Sequence, residues 1–149
     1  MGKTLMFLMT LFITTMVTYP TRAYEDDGEP IVDPNNRLQI PVGESPEAND
    51  YNRKLFKGYS GRDLKHFLNM CMMSWECGLD IYEEMLQNKR SSDACCLEML
   101  EKGKDCHIAM ARFWFSLYEF KQYASRAIPK SYVVWNRCYR DVGPHAPSA

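Results

Sequence analysis

From Asp63 onward the apolar residues recur at steps of three and four. In "DLKHFLNMCMMSWECGLDIYEEMLQNK" the positions Leu64, Phe67, Leu68, Cys71, Trp75, Leu79, Tyr82, Met85 and Leu86 fall on one face of a helix. Ser60 or Asp63 can cap its start, and Lys89-Arg90 suit the negative end of its dipole. A second helix is predicted from "SSDACCLEML", where Ser91, Ser92 or Asp93 can accept the orphan N–H bonds of a first turn. Gly103 ends or bends it. Asp105 is expected to cap a third helix, "CHIAMARFWFSLYEFKQYA". Its aromatics, Phe113, Trp114, Phe115, Tyr118 and Phe120, are too crowded for one narrow stripe. After Pro129, Ser131 is expected to cap a short last helix, "YVVWNRCY". No period-two alternation marks a strand, and no segment repeats. The expected class is all-α, a small bundle of about four helices.

The flanks obey other patterns. The chain opens "MGKTLMFLMTLFITTMVTYPTRA": Lys3, an apolar run from Leu5 to Val17, then small residues at the −3 and −1 positions of a cleavage site in Thr21-Arg22-Ala23. This is the pattern of a secretory signal peptide over residues 1–23, with an apolar run short for a membrane span. No second such run follows, so the expectation is a secreted chain, or one in secretory vesicles before release, with no stable membrane insertion after cleavage. Residues 24–57 carry Pro30, Pro34, Pro41 and Pro46, with eight acids against four bases and no helical period. They read as an extended, disordered acidic leader, serving as a propeptide, a partner-binding arm or a solubilising spacer. Residues 58–140 hold all six cysteines, and residues 141–149 read as a disordered tail.

Charge narrows the partners. The full chain has 18 Lys+Arg and 19 Asp+Glu; loss of residues 1–23 removes Lys3 and Arg22, leaving 16 against 19. Neither a basic excess nor a Lys/Arg run argues for nucleic acid or an anionic membrane. The expected partner is an extracellular or cell-surface protein.

A cysteine domain of about 80 residues buries too little surface to be robust alone, and six cysteines in an oxidising compartment can staple it. Cys95 and Cys96 are adjacent. Neighbouring Cα atoms lie about 3.8 Å apart, below the roughly 4.4–6.8 Å of disulfides, so they do not pair with each other. Successive helical side chains point about 100° apart, so the two reach different partners. A short connection near Asn88–Ser92 makes the first two helices antiparallel, and paired positions then have a nearly constant sum. Cys77 with Cys95 and Cys71 with Cys106 fit that register, leaving Cys96 for Cys138. An exchange between Cys95 and Cys96 stays open. Zinc ligation is disfavoured, because there is no close C-x-x-C pair.

Little else points to catalysis. His145 lies in the tail, His66 sits on the first helix beside Phe67 as a surface or core-boundary residue, and His107 reads as a structural hydrogen-bonding residue beside Cys106. Glu83-Glu84 reads as solvated charge. There is no phosphate-cradling glycine loop and no spare thiol, so no catalytic residue, metal or cofactor is expected. Two features could bind something. "YEFKQYASRAIPK", with Tyr118, Phe120, Lys121, Tyr123, Arg126 and Lys130, mixes aromatics and bases between pinned helices and is a candidate partner-binding loop. The connection Gln87–Asp93 is a second. The methionines Met70, Met72, Met73, Met85, Met99 and Met110, with Trp75, Trp114 and Phe115, can line a cavity for an apolar guest; the plainer expectation is that they fill an ordinary core.

The motifs carry a resemblance. "WECGLDIYEEM", "CCLEMLEKGKDCH" and "VVWNRC" contain Cys77-Gly78, the Cys95-Cys96 doublet, Gly103-Lys104-x-Cys106-His107 and Trp135-Asn136-x-Cys138. Across residues 71 to 138 this resembles the plant prolamin-like domain family of small secreted proteins, which includes egg-cell and other female-gametophyte cysteine-rich proteins. The resemblance implies a helical three-disulfide fold, secretion from reproductive cells and, for some members, gamete or female-gametophyte communication around fertilisation. Gly78, Gly103, His107, Trp135 and Asn136 would be structural motif residues. The wider superfamily also holds lipid-transfer proteins and hydrolase inhibitors, so a carrier of a small apolar ligand or a hydrolase inhibitor or defence protein are the alternatives. Lipid-transfer proteins use eight cysteines with a C-x-C pair. This chain has Cys106-His107-Ile108 there, which argues against that full scaffold.

Overall fold

The computed structural model describes residues 28–38 and 45–143. The expected signal peptide and the chain beyond Gly143 lie outside the described residues. Within them the molecule is helical: α1 Pro46–Leu55, α2 Gly61–Cys71, α3 Trp75–Gln87, α4 Asp93–Lys102, α5 Lys104–Trp114 and α6 Ala124–Val142, with a 3-10 turn at Lys121–Tyr123. None of these helices is long and apolar enough to cross a membrane.

Four local expectations are corrected. The leader was expected to be extended, but its end forms α1, because Ser45 accepts from the Ala48 N–H, Pro46 pre-sets the first turn, and Arg53 and Lys54 pair with Asp50 one turn back. The single long helix from Asp63 is two. Met72 is extended at ψ 132°, and Ser74 starts α3 by accepting from the Cys77 N–H. The apolar period runs through this break because Cys71 and Trp75 are four apart, so spacing alone could not reveal it. Asp105 does not cap α5; Gly103, at φ 90°, turns the chain there, and Asp105 lies in the first turn.

The last helix is the fourth correction. It runs 19 residues, straight through Pro129 and on through Asp141 and Val142, which were expected in the tail. Ser131 is no cap; it is buried mid-helix, and its hydroxyl donates to the Ile128 carbonyl at 2.6 Å. Proline removes one backbone bond, yet Ala127, Val134, Cys138 and Val142 hold one face of α6 in the core on both sides of it. Tertiary packing outweighs the local cost.

The core is centred on Ile81, Met85 and Leu86 of α3, Cys96 and Met99 of α4, and Phe115 just after α5. The long α6 lies across α4 and α5. Three disulfides join Cys71 to Cys106, Cys77 to Cys95 and Cys96 to Cys138, with Cα separations of 4.9, 4.9 and 5.2 Å. The first two fit the hairpin register, the third is the pair that register leaves, and the exchange of Cys95 with Cys96 is absent. The doublet is a fork: one thiol ties α4 back to α3, the other ties it forward to α6. Residues 28–38 lie along the end of α3. The N–H groups of Ile31 and Val32 both donate to the Leu86 carbonyl, at 2.7 and 2.9 Å, and the buried Gln87 amide donates to the carbonyls of Asp33 and Asn36.

Candidate functional site

The break between α2 and α3 exposes apolar side chains where a continuous helix would have stacked them. Met72 and Trp75 are 52 % and 67 % exposed, and Met70 beside them is 57 % exposed. Behind Met72 and Trp75 lies a cavity of about 360 Å³. Its outer wall is the link Met72-Met73-Ser74 with Trp75. Gly78, Leu79 and Tyr82 of α3 form one side, and Met110 and Trp114 of α5 the other. Its floor is the buried core, Met85, Met99 and Phe115. Of the six methionines that could line such a space, only Met70 stands outside it. The expectation of an ordinary filled core is therefore corrected: Met85 and Met99 pack the core and also face a space in it. Side chains from four separate elements converge on that space, and no sequence period links them.

Few polar groups reach this lining. Tyr82 packs its ring edge-on against Trp114 and Phe115, at 6.0 and 5.9 Å. Burial holds its phenol well above the usual range, so it stays protonated. Its hydroxyl makes no hydrogen bond among the described residues. His107 is buried, with Nε2 2.9 Å from the Ser131 carbonyl and its ring stacked on Trp135 at 6.0 Å. Burial pulls its pKa down despite that bond, so the ring is neutral and Nε2–H donates. Lys102, half-buried at the end of α4, is the one charged residue among the described lining residues. It has no ion pair or hydrogen bond among them. Glu98, one turn earlier, is engaged by the link, accepting from the Ser74 N–H and hydroxyl.

The structure disperses the candidate partner-binding loop. Residues 118–130 form turns, the 3-10 segment and the start of α6 rather than a free loop. Phe120 is buried in the core and faces the cavity, Tyr123 packs against the core, and Lys130 is buried with its ammonium on Asn88. Arg126 donates to the Glu29 carbonyl at 2.9 Å. Tyr118 and Lys121 remain at the surface, with the Lys121 ammonium 4.2 Å from the Tyr51 ring and 4.4 Å from the Tyr118 ring. The second candidate, Gln87–Asp93, stays mostly exposed, with Gln87 and Ser91 turned inward. Arg90 pairs with Asp141.

The motif residues fall in structural places. Gly78 lies in the cavity wall, and a Cβ there would meet nothing within 4 Å. Trp135 packs partly buried on the core beside His107, Asn136 is exposed, and His66 is exposed. Glu84, expected to be solvated, is instead half of a shielded ion pair: Arg137 donates to both of its oxygens, and the Ser91 N–H adds a bond at 2.9 Å. Sequence reasoning missed this cluster because its members are 53 residues apart. It also missed Lys102, whose only signal is a charge on an otherwise apolar wall. Among the described residues, no three His, Cys, Asp or Glu side chains gather as metal ligands.

The comparisons with known proteins agree with this frame. The family model described as Prolamin-like matches residues 68–139, from the end of α2 to the last cysteine. An Arabidopsis thaliana protein named "Protein DOWN-REGULATED IN DIF1 11" is 32% identical over 130 residues, which cover 86% of this chain and 83% of that protein. No solved structure matches the chain.

Proposed function

This chain belongs to the plant prolamin-like family of small cysteine-rich helical proteins, and we propose that it is a secreted, non-enzymatic binding protein of plant reproduction whose core holds a small apolar molecule. The observation that carries the binding half is the cavity: about 360 Å³, walled by methionine and aromatic side chains and opening beside exposed Met72 and Trp75. Small-molecule sites have this character, a concave apolar space of roughly 300–1,000 Å³ with few polar groups. Methionine walls suit guests of irregular shape, since the unbranched thioether repacks at small cost. The buried His107 is neutral and committed to Ser131, which suits a structural role rather than proton transfer. The reproductive setting and the secretory route rest on the family likeness and on the N-terminal segment's pattern.

Saturable binding of the neutral dye Nile red to the disulfide-intact protein tests the cavity. One dye per chain is expected, abolished by Met73→Trp with the helical circular dichroism retained. Absence of saturable binding at micromolar protein overturns the reading. Reporter expression and knockout of several family members test the setting. Expression confined to vegetative tissue with normal seed set overturns it.

A further inference from the structure

The lining of the cavity is mostly apolar, and Lys102 is its one charged residue among the described residues. We infer that the occupant is a single-chain amphipathic anion, an aliphatic carboxylic acid whose tail fills the methionine-walled space and whose carboxylate rests on Lys102. The inference builds on the proposed apolar site and goes further by fixing the headgroup.

Three observations converge on it. First, size. A water molecule's share of liquid volume is about 30 Å³ and a methylene group is of similar size, so 360 Å³ holds roughly a dozen such groups. That is one aliphatic chain and not two. Second, charge. Lys102 closes α4 one turn past Glu98, and Glu98 is bonded to Ser74 of the outer wall. The lysine thus stands on the side of the cavity where the exposed Met72 and Trp75 open it to water. Its natural helical partner is that same Glu98, at i−4, yet Glu98 is turned to the link instead and leaves the ammonium without an ion pair among the described residues. Third, the absence of a competing anion. No carboxylate belongs to the described lining, and His107, the other basic lining residue, is neutral. The Tyr82 hydroxyl adds an unused donor on the α3 wall. An anionic head at the mouth therefore meets one cation, and the carboxylate on that side, Glu98, has both oxygens already engaged by Ser74, whereas a cationic head meets the lysine's repulsion.

Displacement of bound Nile red from the disulfide-intact chain by three ligands with one C12 tail separates the possibilities: laurate, 1-dodecanol and dodecylamine. Laurate is expected to displace the dye about five-fold more tightly than dodecanol, with dodecylamine weakest. In Lys102→Gln the laurate advantage disappears while dodecanol is unchanged, and Lys102→Arg restores it; a merely structural lysine would move all ligands together. Equal affinity of laurate and dodecanol in the unaltered protein, or a preference for the amine, overturns the anionic headgroup and leaves the apolar site standing. Failure of all three tails to displace the dye overturns the site itself.

Discussion

Glu84 and Arg137 show how one residue pair can weigh more than its surface position suggests. Each side chain is 12 % exposed, and the guanidinium grips both carboxylate oxygens while also reaching Ser91 and Asp141. A pair this shielded gains little over apolar residues of the same shape, but losing one partner strands the other. Arg137→Met should therefore lower unfolding free energy by about 3 kcal/mol in chemical denaturation. Glu84→Gln combined with Arg137→Met should recover part of that loss; a double variant weaker than the single would refute the account. His107 makes a pH-dependent contribution. Its folded pKa lies below its unfolded value of about 6.5. The unfolded chain thus takes up the proton first as pH falls, so the stability is fully present above about pH 6.5 and is lost below it, toward the folded pKa. The stability advantage of the unaltered protein over His107→Gln should accordingly shrink between pH 7.5 and pH 5.5. An advantage independent of pH would mean that the ring is not buried in its neutral form.

At the scale of elements, the joints decide what the helices can do. Gly103 serves as the end of α4 and the start of α5 at φ 90°, ψ 156°, and a Cβ there would meet no atom within 4 Å. The cost of Gly103→Ala is thus backbone strain alone, about 1–3 kcal/mol, with no repacking of neighbours. A denaturation midpoint unchanged by that substitution would show that the joint relaxes freely. The role of Gly103 was legible in the sequence, as were the helical class and the α3–α4 hairpin, because capping residues, glycine and a 3.6-residue period are local signals. The break at Met72–Ser74 was not: the period passes through it, and the side chain that stabilises it, Glu98, comes from another helix. The continuation of α6 through Pro129 was hidden for the same reason, since what sustains it is core contact on both sides. The cavity depends on that hidden break. A single straight helix from Asp63 would not give the link from which Met72, Met73 and Ser74 form the outer wall.

For the molecule as a whole, the leader is the part whose standing changes most. Its acidic, proline-rich composition reads as solvated chain, yet residues 28–38 supply the partners that the end of α3 lacks. The Leu86 carbonyl receives two N–H bonds, and Gln87, 2 % exposed, gives its amide to two carbonyls. Asn88, in the left-handed conformation that ends α3, adds a bond to the Gly28 carbonyl at 2.9 Å. Disulfides cannot replace these contacts, because all three lie among α2–α6 and none reaches the leader. Removing every residue before Ser45 should therefore leave the cysteine frame folded but weaker by about 4 kcal/mol, at roughly 1 kcal/mol net for each of the four lost hydrogen bonds at Leu86 and Gln87. Amide exchange should accelerate at Glu84–Asn88 and change little in α5. The same truncation reaches the cavity, since Leu38 is part of its lining. Dye affinity should fall together with stability, as one wall opens to water. A truncated chain that keeps both would make the leader a bystander; one that loses stability but keeps its affinity would assign it to the frame and not to the site.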